Sequence, residues 1–141
     1  MSHTENQHDF QPQRMRVLLV EDSILLRDTM MEILEGAFGL QFDGIAATQA
    51  DAIALLQQQA FDMLILDIEL AQGNGFEVLK ATQSDDYPYP QPVYIIFTNH
   101  AYPQYRLLAR QLGVEHFFDK SMDFDVAMET IEEEARKFAA R

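Results

Sequence analysis

The sequence has 141 residues, of which 48% are hydrophobic, and it is long enough for one domain with a single packed core. Its formal net charge of −13, without a cluster of Lys or Arg, argues against direct nucleic acid binding and favours cations or cationic protein surfaces as partners. It has no cysteine and no apolar stretch near the roughly 20 residues that span a bilayer. We therefore expect a cytoplasmic protein without disulfides, Cys-type zinc sites or membrane insertion.

The chain begins with a polar segment over residues 1–13. Its large apolar residues are Met1 and Phe10, which stand among Gln, His, Asn and Ser. Such a composition cannot bury enough apolar surface to offset the entropy of ordering, so we predict a disordered N-terminal tail. The folded domain should then occupy residues 14–141.

Five runs of apolar residues predict β-strands, because each is short and lacks helical spacing. They lie at residues 17–20, 40–46, 63–66, 93–97 and 115–118. The second run is the weakest, since Asp43 and Gly44 interrupt it. The third contains only apolar residues, which is typical of a strand buried on both faces of a parallel sheet.

The first two predicted helices have clear N-terminal signals. Ser23 can cap a helix that Gly36 and Gly39 end. Thr48, with Asp51 three residues later, resembles a capping box that opens a helix through Gln59. The apolar stripe of the first helix recurs every three or four residues, at Leu26, Met30, Ile33, Leu34 and Ala37.

Three further helices are predicted over about 76–83, 103–112 and 124–138. The Gly-Asn-Gly sequence at 73–75 predicts a loop with positive φ before the third helix. Pro103 suits the first turn of the fourth helix, and Gly113 suits its C-terminal end. The last helix has the clearest apolar period, which predicts that Glu134 faces outward.

Five strands that alternate with five helices predict an α/β fold with a doubly wound parallel sheet and helices on both faces. Ligands bind such sheets at the carboxyl ends of the strands. Polar residues follow four of the predicted strands, and parallel strands would bring them to one rim: Glu21, Asp22, Asp67, Thr98 and Lys120.

These five side chains suggest a phosphoryl-transfer site. Three carboxylates at one rim repel one another and need a cation, and all-oxygen ligation suits Mg²⁺ or Mn²⁺. Lys120 and Thr98 would add a positive charge and a hydroxyl group. A phosphoryl group needs this neutralisation of charge while a carboxylate attacks phosphorus, so the implied species is an aspartyl phosphate.

The same residues carry a resemblance to the response regulator receiver domains of two-component signalling. The matching motifs are Val-Glu-Asp-Ser at 20–23, Leu-Asp-Ile-Glu-Leu at 66–70, Gly-Asn-Gly-Phe-Glu-Val-Leu at 73–79, Thr98, and Phe-Phe-Asp-Lys at 117–120. The resemblance covers about residues 15–136. It implies a flavodoxin-like sheet with strand order 2-1-3-4-5.

The resemblance also implies residue roles around Asp67. Asp67 would accept a phosphoryl group from a histidine kinase or a phosphotransfer protein. Glu21 and Asp22, together with Asp67, would hold Mg²⁺ or Mn²⁺, with help from the Ile68–Glu69 backbone through the Glu69 carbonyl oxygen.

Two further roles concern the signal that follows phosphorylation. The resemblance implies that Lys120 pairs with the phosphoryl group, that Thr98 moves to bind it, and that Phe117 is the switch aromatic. Phe117 lacks the hydroxyl group of a tyrosine. Ser121 stands where the family often has a proline after a cis peptide bond, and a cis bond before a residue other than proline costs about 2.5 to 4 kcal/mol, so we predict a trans peptide.

The resemblance further implies a stand-alone, single-domain regulator that signals through a downstream protein partner or relays phosphate. It would be a stoichiometric phosphoacceptor with at most slow self-dephosphorylation, not an enzyme. Candidate partner contacts are Tyr102, Tyr105 and Arg106.

Two other classes compete with this interpretation. One is a Mg²⁺-dependent aspartyl-phosphate phosphohydrolase of the haloacid dehalogenase type, in which Glu69, two residues after Asp67, would be the general acid and base. Turnover of a small phosphate monoester would favour it. The other is a flavin binder, which is disfavoured because two acids after the first strand would repel a phosphate.

Overall fold

A computed structural model of the chain describes residues 14–36 and 39–140. The tail predicted over residues 1–13 lies outside the described residues, and so does Ala37, which was predicted to join the stripe of the first helix. Within the described ranges, no helix is long and apolar enough to cross a membrane.

The described residues form a five-stranded parallel sheet. In chain order its strands are β1 (Met15–Val20), β2 (Leu40–Ala46), β3 (Met63–Leu66), β4 (Val93–Thr98) and β5 (His116–Asp119). They lie in the order β2-β1-β3-β4-β5, which confirms the predicted 2-1-3-4-5 arrangement. β1 and β3 are therefore inner strands, and their carboxyl ends are neighbours.

The same residues form five helices, one after each strand. They are α1 (Ile24–Glu35), α2 (Gln49–Gln58), α3 (Gly75–Ala81), α4 (Pro103–Gln111) and α5 (Phe124–Ala139). Ser23 and Thr48 cap α1 and α2 as predicted, since their hydroxyl oxygens accept hydrogen bonds from the backbone N–H groups of Leu26 and Asp51. Gly113 has a φ of +86° after α4, which confirms its predicted place beyond the helix end.

Side chains that alternate along the strands divide the core into two apolar clusters. Leu18 and Val20 of β1 join the cluster formed with α2, α3 and α4, whereas Val17 and Leu19 join the cluster formed with α1 and α5. Helices therefore cover both faces of the sheet, as the doubly wound prediction requires. The inner strands β1 and β3 are therefore packed on both faces, and this packing holds their carboxyl ends in place.

The structure shifts several predicted boundaries and removes one predicted interruption. β2 spans residues 40–46 as predicted and is continuous across Asp43 and Gly44, because a β-bulge in β2 leaves Asp43 as an extra residue opposite the step from Val17 to Leu18 of β1. β5 is one residue later than predicted, so it includes Asp119 and ends directly before Lys120. α3 ends at Ala81, since Thr82 caps it and hydrogen bonds to Tyr94.

Two predicted side-chain orientations are wrong. Ile33 is 43% exposed, because the buried face of α1 is centred on Met30 and Leu34. Glu134 on α5 was predicted to face outward, but its carboxylate lies 3.0 Å from Nε2 of His116 and its side chain is only 15% exposed. A neighbouring polar group on β5 draws this acid inward, which helical periodicity cannot reveal.

Candidate functional site

The acids of the predicted site lie where β1 and β3 end. The backbone N–H of Asp67 donates to the Val20 carbonyl at 3.0 Å, and that of Glu21 donates to the Ala46 carbonyl at 2.9 Å. Parallel pairing thus extends one residue beyond each strand. It places Glu21 and Asp67 side by side, and both are almost fully buried.

Lys120 joins these two acids. Its Nζ lies 2.7 Å from Oδ2 of Asp67 and 2.8 Å from Oε1 of Glu21. The lysine side chain is 11% exposed, and β5 positions it because Lys120 N donates to the Thr98 carbonyl at 2.9 Å. One ammonium group therefore neutralises part of the charge of two buried carboxylates.

The remaining carboxylate oxygens of this pair accept backbone hydrogen bonds. Ile68 N donates to Oδ1 of Asp67 at 2.7 Å, and Ser23 N donates to Oε2 of Glu21 at 3.0 Å. Both oxygens of each carboxylate thus have a partner. This fixes the orientation of both side chains, as a buried acid requires.

The pKa values of Glu21 and Lys120 are both raised. For Glu21 the main cause is burial, which disfavours the charged carboxylate more than Lys120 and Ser23 N–H favour it. For Lys120, burial acts to lower the pKa, but the hydrogen bonds to Asp67 and Glu21 outweigh it. Lys120 is therefore firmly charged, whereas Glu21 is an acid that a further cation would stabilise in its ionised form.

Asp22 completes a group of three carboxylates. One oxygen from each of Glu21, Asp22 and Asp67 can be chosen so that all three lie within 4.8 Å of one another. Asp22 is exposed, so the group is open to solvent on one side. Three hard oxygen donors at this spacing, open to water, are a suitable ligand set for Mg²⁺ or Mn²⁺.

The loop after Asp67 is shaped by two glycines. Gly73 has a φ of +82°, which confirms the predicted left-handed residue, and Gly75 N donates to the Ile68 carbonyl at 2.7 Å. A Cβ atom on Gly75 would overlap the Asp67 carbonyl oxygen and lie 2.8 Å from Cδ1 of Leu66. Sequence spacing predicted a loop here, but not this contact with the backbone of Asp67.

Thr98 and Phe117 occupy neighbouring strands next to this rim. Thr98 is fully buried, and its hydroxyl oxygen accepts a hydrogen bond from His100 N at 3.0 Å. Phe117 pairs in register with Ile96, two residues before Thr98. The Lys120–Ser121 peptide is trans, as predicted, since the described residues contain no cis peptide bond.

The side chain of Glu69 is not part of the three-carboxylate group and contacts His100 instead. Its Oε1 lies 3.3 Å from Nε2 of His100, and its side chain is 57% exposed. The sequence predicted no role for His100. The only sequence signal was its position two residues after Thr98, on the loop that leaves β4 at the same rim.

The three candidate partner contacts on and before α4 have different surroundings. Tyr102 is 47% exposed, whereas Tyr105 packs against Phe76 with ring centroids 5.7 Å apart. The guanidinium carbon of Arg106 lies 4.7 Å from the centroid of the Phe117 ring. A contact with a partner protein stays a prediction for all three.

The fold and these five rim residues define a class of protein, an open α/β domain with an acidic pocket and a buried lysine at the carboxyl edge of its sheet. The sequence matches the response regulator receiver domain family over residues 17–132. The chain belongs to this family, as its motifs predicted.

The chain is also similar to individual curated proteins. The chain is 31% identical over 117 residues to the sensory transduction protein LytT of Bacillus cereus, an alignment that covers 83% of this chain and 46% of LytT. It is 32% identical over 108 residues to a protein-glutamate methylesterase/protein-glutamine glutaminase of Halalkalibacterium halodurans, covering 76% of this chain and 30% of that protein. The chain thus spans less than half the length of these curated relatives.

Solved structures share the fold. A CheY-like response regulator receiver domain protein from Methanospirillum hungatei superposes with a TM-score of 0.72 at 24% identity, covering 89% of this chain and 96% of that one. The Mn²⁺-bound form of the response regulator Rcp1 superposes with a TM-score of 0.67 at 23% identity, covering 84% and 90%.

Proposed function

We propose that this receiver domain belongs to a cytoplasmic response regulator and accepts one phosphoryl group on Asp67 from a histidine kinase or a phosphotransfer protein. The observation that carries the proposal is the placement of the Asp67 carboxylate 2.7 Å from Lys120 and within a group of three acids. Membership of the receiver family supports it.

The chemistry needs a nucleophile and a means to neutralise the charge of the incoming group. A carboxylate oxygen of Asp67 attacks the phosphorus of a phosphohistidine, the P–N bond breaks, and the imidazole leaves with its electron pair. The ammonium of Lys120 then pairs with a phosphoryl oxygen, and the Thr98 hydroxyl donates to another. The product is an aspartyl phosphate.

The acidic residues fit a divalent ion. Glu21, Asp22 and Asp67 would hold Mg²⁺ or Mn²⁺, and the Glu69 carbonyl would add a backbone ligand, since the neighbouring Ile68 carbonyl already accepts a hydrogen bond from Gly75. The ion would supply charge neutralisation on the phosphoryl oxygens. The Mn²⁺-bound form of Rcp1, which has the same fold, supports this assignment.

The output would pass through Thr98 and Phe117 to a downstream protein partner, or the phosphoryl group would be relayed. Movement of Thr98 toward the phosphoryl group would leave space that Phe117 can fill, which changes the surface of α4, β5 and α5. The chain would act once per phosphoryl group received, with at most slow self-dephosphorylation, and would not be an enzyme.

Acetyl phosphate, a small phosphoryl donor, tests the acceptor role. We expect intact mass spectrometry to show one phosphoryl group on the wild type in the presence of Mg²⁺, and none on Asp67→Asn or in EDTA. Asp62→Asn is a matched control, because Asp62 directly precedes β3 whereas Asp67 directly follows it. Equal labelling of the wild type and Asp67→Asn would remove Asp67 from this role.

The same samples separate the receiver from the phosphohydrolase. Incubation with p-nitrophenyl phosphate should release no more than about one equivalent of product from a receiver, whereas a hydrolase would turn over continuously. The contact of Glu69 with His100 engages the carboxylate that a hydrolase would need as its general acid and base. Sustained turnover that depends on Glu69 would establish the hydrolase instead.

Asp22→Asn should separate ion binding from stability. In EDTA we expect a slightly higher melting temperature than the wild type, because repulsion at the rim falls and Asp22 has no ion pair among the described residues. Mg²⁺ at ten times its Kd should stabilise the wild type by about 1.4 kcal/mol and the variant by less.

Thermal melts with EDTA and with Mg²⁺ measure both effects. Asp28→Asn is the control, since Asp28 is an exposed acid on α1 outside the three-carboxylate group. Equal responses of the three proteins to Mg²⁺ would show that Asp22 does not bind the ion.

A further inference from the structure

Arg106 makes a contact with the switch aromatic that the receiver motifs do not include. Arg106 lies on α4 and Phe117 in the middle of β5, and the guanidinium carbon is 4.7 Å from the ring centroid. A cation within about 6 Å of an aromatic centroid is attracted by the negative face of the ring. The contact therefore connects a helix of the expected output surface to an edge strand.

The Phe117 ring contacts both apolar side chains and a charged group. It is half-buried and packs against the apolar cluster of α2, α3 and α4, while the guanidinium of Arg106 lies over its ring. Because phenylalanine has no hydroxyl group, a hydrogen bond cannot hold this ring near the surface. The arginine is thus the polar group that favours the partly exposed ring position.

The charge of Arg106 also acts on Asp119, the next residue of β5 on the same face as Phe117. Phe117 and Asp119 lie two residues apart and hence on the same face of β5. The pKa of Asp119 is lowered, first by hydrogen bonds from Ser121 and also by the positive charge of Arg106. Arg106 does not approach Asp119 closely enough for an ion pair among the described residues, so its guanidinium remains available to the ring.

We propose that Arg106 is a positioning residue that holds Phe117 in its partly exposed position in the unphosphorylated protein. Movement of Phe117 toward Thr98 would break this contact. The proposal rests on the proposed function, because it is phosphorylation of Asp67 that would draw Thr98 away and make the inner position available.

The size of the effect follows from two-state thermodynamics. A contact made in only one of two states shifts their ratio by its own free energy. Since Arg106 is exposed, the contact should be at the weak end of cation–π interactions, and its loss should raise the population of the inner position about two- to fivefold. The fold should not depend on it.

The test compares Arg106→Gln and Arg106→Lys with the wild type. Arg110→Gln is the control, because Arg110 lies one turn later on α4 and its side chain has no ring contact or ion pair among the described residues. Protein with ¹³C-labelled phenylalanine rings is observed by NMR in the presence of Mg²⁺, before and after addition of beryllium fluoride as a phosphoryl mimic. The rate of labelling of Asp67 by acetyl phosphate is measured in parallel.

We expect the Phe117 ring signals of Arg106→Gln, without beryllium fluoride, to lie part of the way toward the position that the wild type reaches with it. The labelling rate should rise about two- to fivefold, in proportion to the population of the inner position. Arg106→Lys should fall between Arg106→Gln and the wild type, because an ammonium keeps the charge without the planar stacking. Arg110→Gln should match the wild type in both measurements.

The outcomes distinguish this proposal from the function on which it rests. If the wild type is labelled and responds to beryllium fluoride, but Arg106→Gln behaves like Arg110→Gln, Arg106 does not position Phe117 and the acceptor role of Asp67 stands. If Asp67 of the wild type takes up no phosphoryl group, the proposed function fails, and the positioning role fails with it.

Discussion

Replacing Lys120 with methionine should lower the free energy of unfolding in EDTA by about 3 kcal/mol, because it leaves two buried acids without their shared partner. Nζ of Lys120 lies within 2.8 Å of a carboxylate oxygen of both Glu21 and Asp67. Methionine has a similar length, so the loss should come from charge rather than from a cavity. The value is at the low end for a broken buried pair, since the rim is open to water at Asp22.

Lys80→Met is the matched control. Lys80 also forms an ion pair, with Glu77 at 3.4 Å, but both side chains are about half exposed. Exposed pairs contribute little, so this variant should change the stability by less than about 0.5 kcal/mol. Equal melting temperatures for the two variants in EDTA would contradict the prediction that Lys120 stabilises the two buried acids.

Magnesium should affect Lys120→Met more than the wild type. In the wild type the ammonium and a divalent ion share the charge of Asp67 and Glu21, whereas in the variant the ion alone neutralises them. The Mg²⁺-dependent rise in melting temperature should therefore be larger for the variant, although labelling of Asp67 by acetyl phosphate should fall. Melts at several Mg²⁺ concentrations give both affinities.

The pH range of this effect follows from the raised pKa of Lys120. A lysine whose pKa is higher in the folded than in the unfolded protein contributes stability that is fully present below its unfolded value, near 10.5. That stability is lost only as the pH rises through the higher folded value. Wild-type melts in EDTA should thus show no loss of stability from deprotonation of Lys120 between pH 7 and pH 8.

The sequence predicted the sheet and the rim well because both depend on local patterns. The run 63–66 has no polar residue and is too short for a helix, so it could be only a strand buried on both faces. Once the strands are parallel, the residue after each one must lie at the same edge. The strand pattern alone therefore predicts that Asp67, Glu21 and Lys120 are neighbours.

Contacts between elements could not be predicted in this way. Periodicity says which face of α5 is apolar, but only the position of β5 places His116 beside Glu134 and draws that acid inward. The same reason applies to Arg106, whose spacing on α4 gives no sign of the Phe117 ring across from it. Such contacts depend on the distance and tilt between a helix and a strand, which apolar periodicity leaves open.

The bulge in β2 is another feature that local patterns obscured. Asp43 and Gly44 looked like an interruption, since neither residue favours a strand. In the structure Gly44 takes the place opposite Leu18, and a Cβ atom there would lie 3.0 Å from Cδ1 of Leu18 and 3.1 Å from Cζ of Phe61. A glycine that appeared to break the strand instead lets it pass close to its neighbours.

Gly75→Ala should be among the most damaging single changes outside the charged residues. A Cβ atom at this position would overlap the carbonyl oxygen of Asp67 and lie 3.0 Å from its carbonyl carbon. Backbone atoms cannot turn away as a long side chain can, so either α3 or the Asp67 peptide must move. We expect a loss of about 3 kcal/mol in the free energy of unfolding, at the upper end for overpacking.

Gly36→Ala is the control, because a Cβ atom on Gly36 would meet nothing within 4 Å and its φ of −77° suits any residue. That change should be neutral or stabilise the protein by about 0.5 kcal/mol through a less flexible unfolded chain. Urea unfolding of the three proteins measures both changes. Movement of the Asp67 peptide should also slow labelling by acetyl phosphate in Gly75→Ala, at temperatures where the variant is still folded. If Gly75→Ala is as stable as Gly36→Ala and is labelled at the wild-type rate, close packing of α3 on the Asp67 backbone does not hold the phosphoacceptor in place.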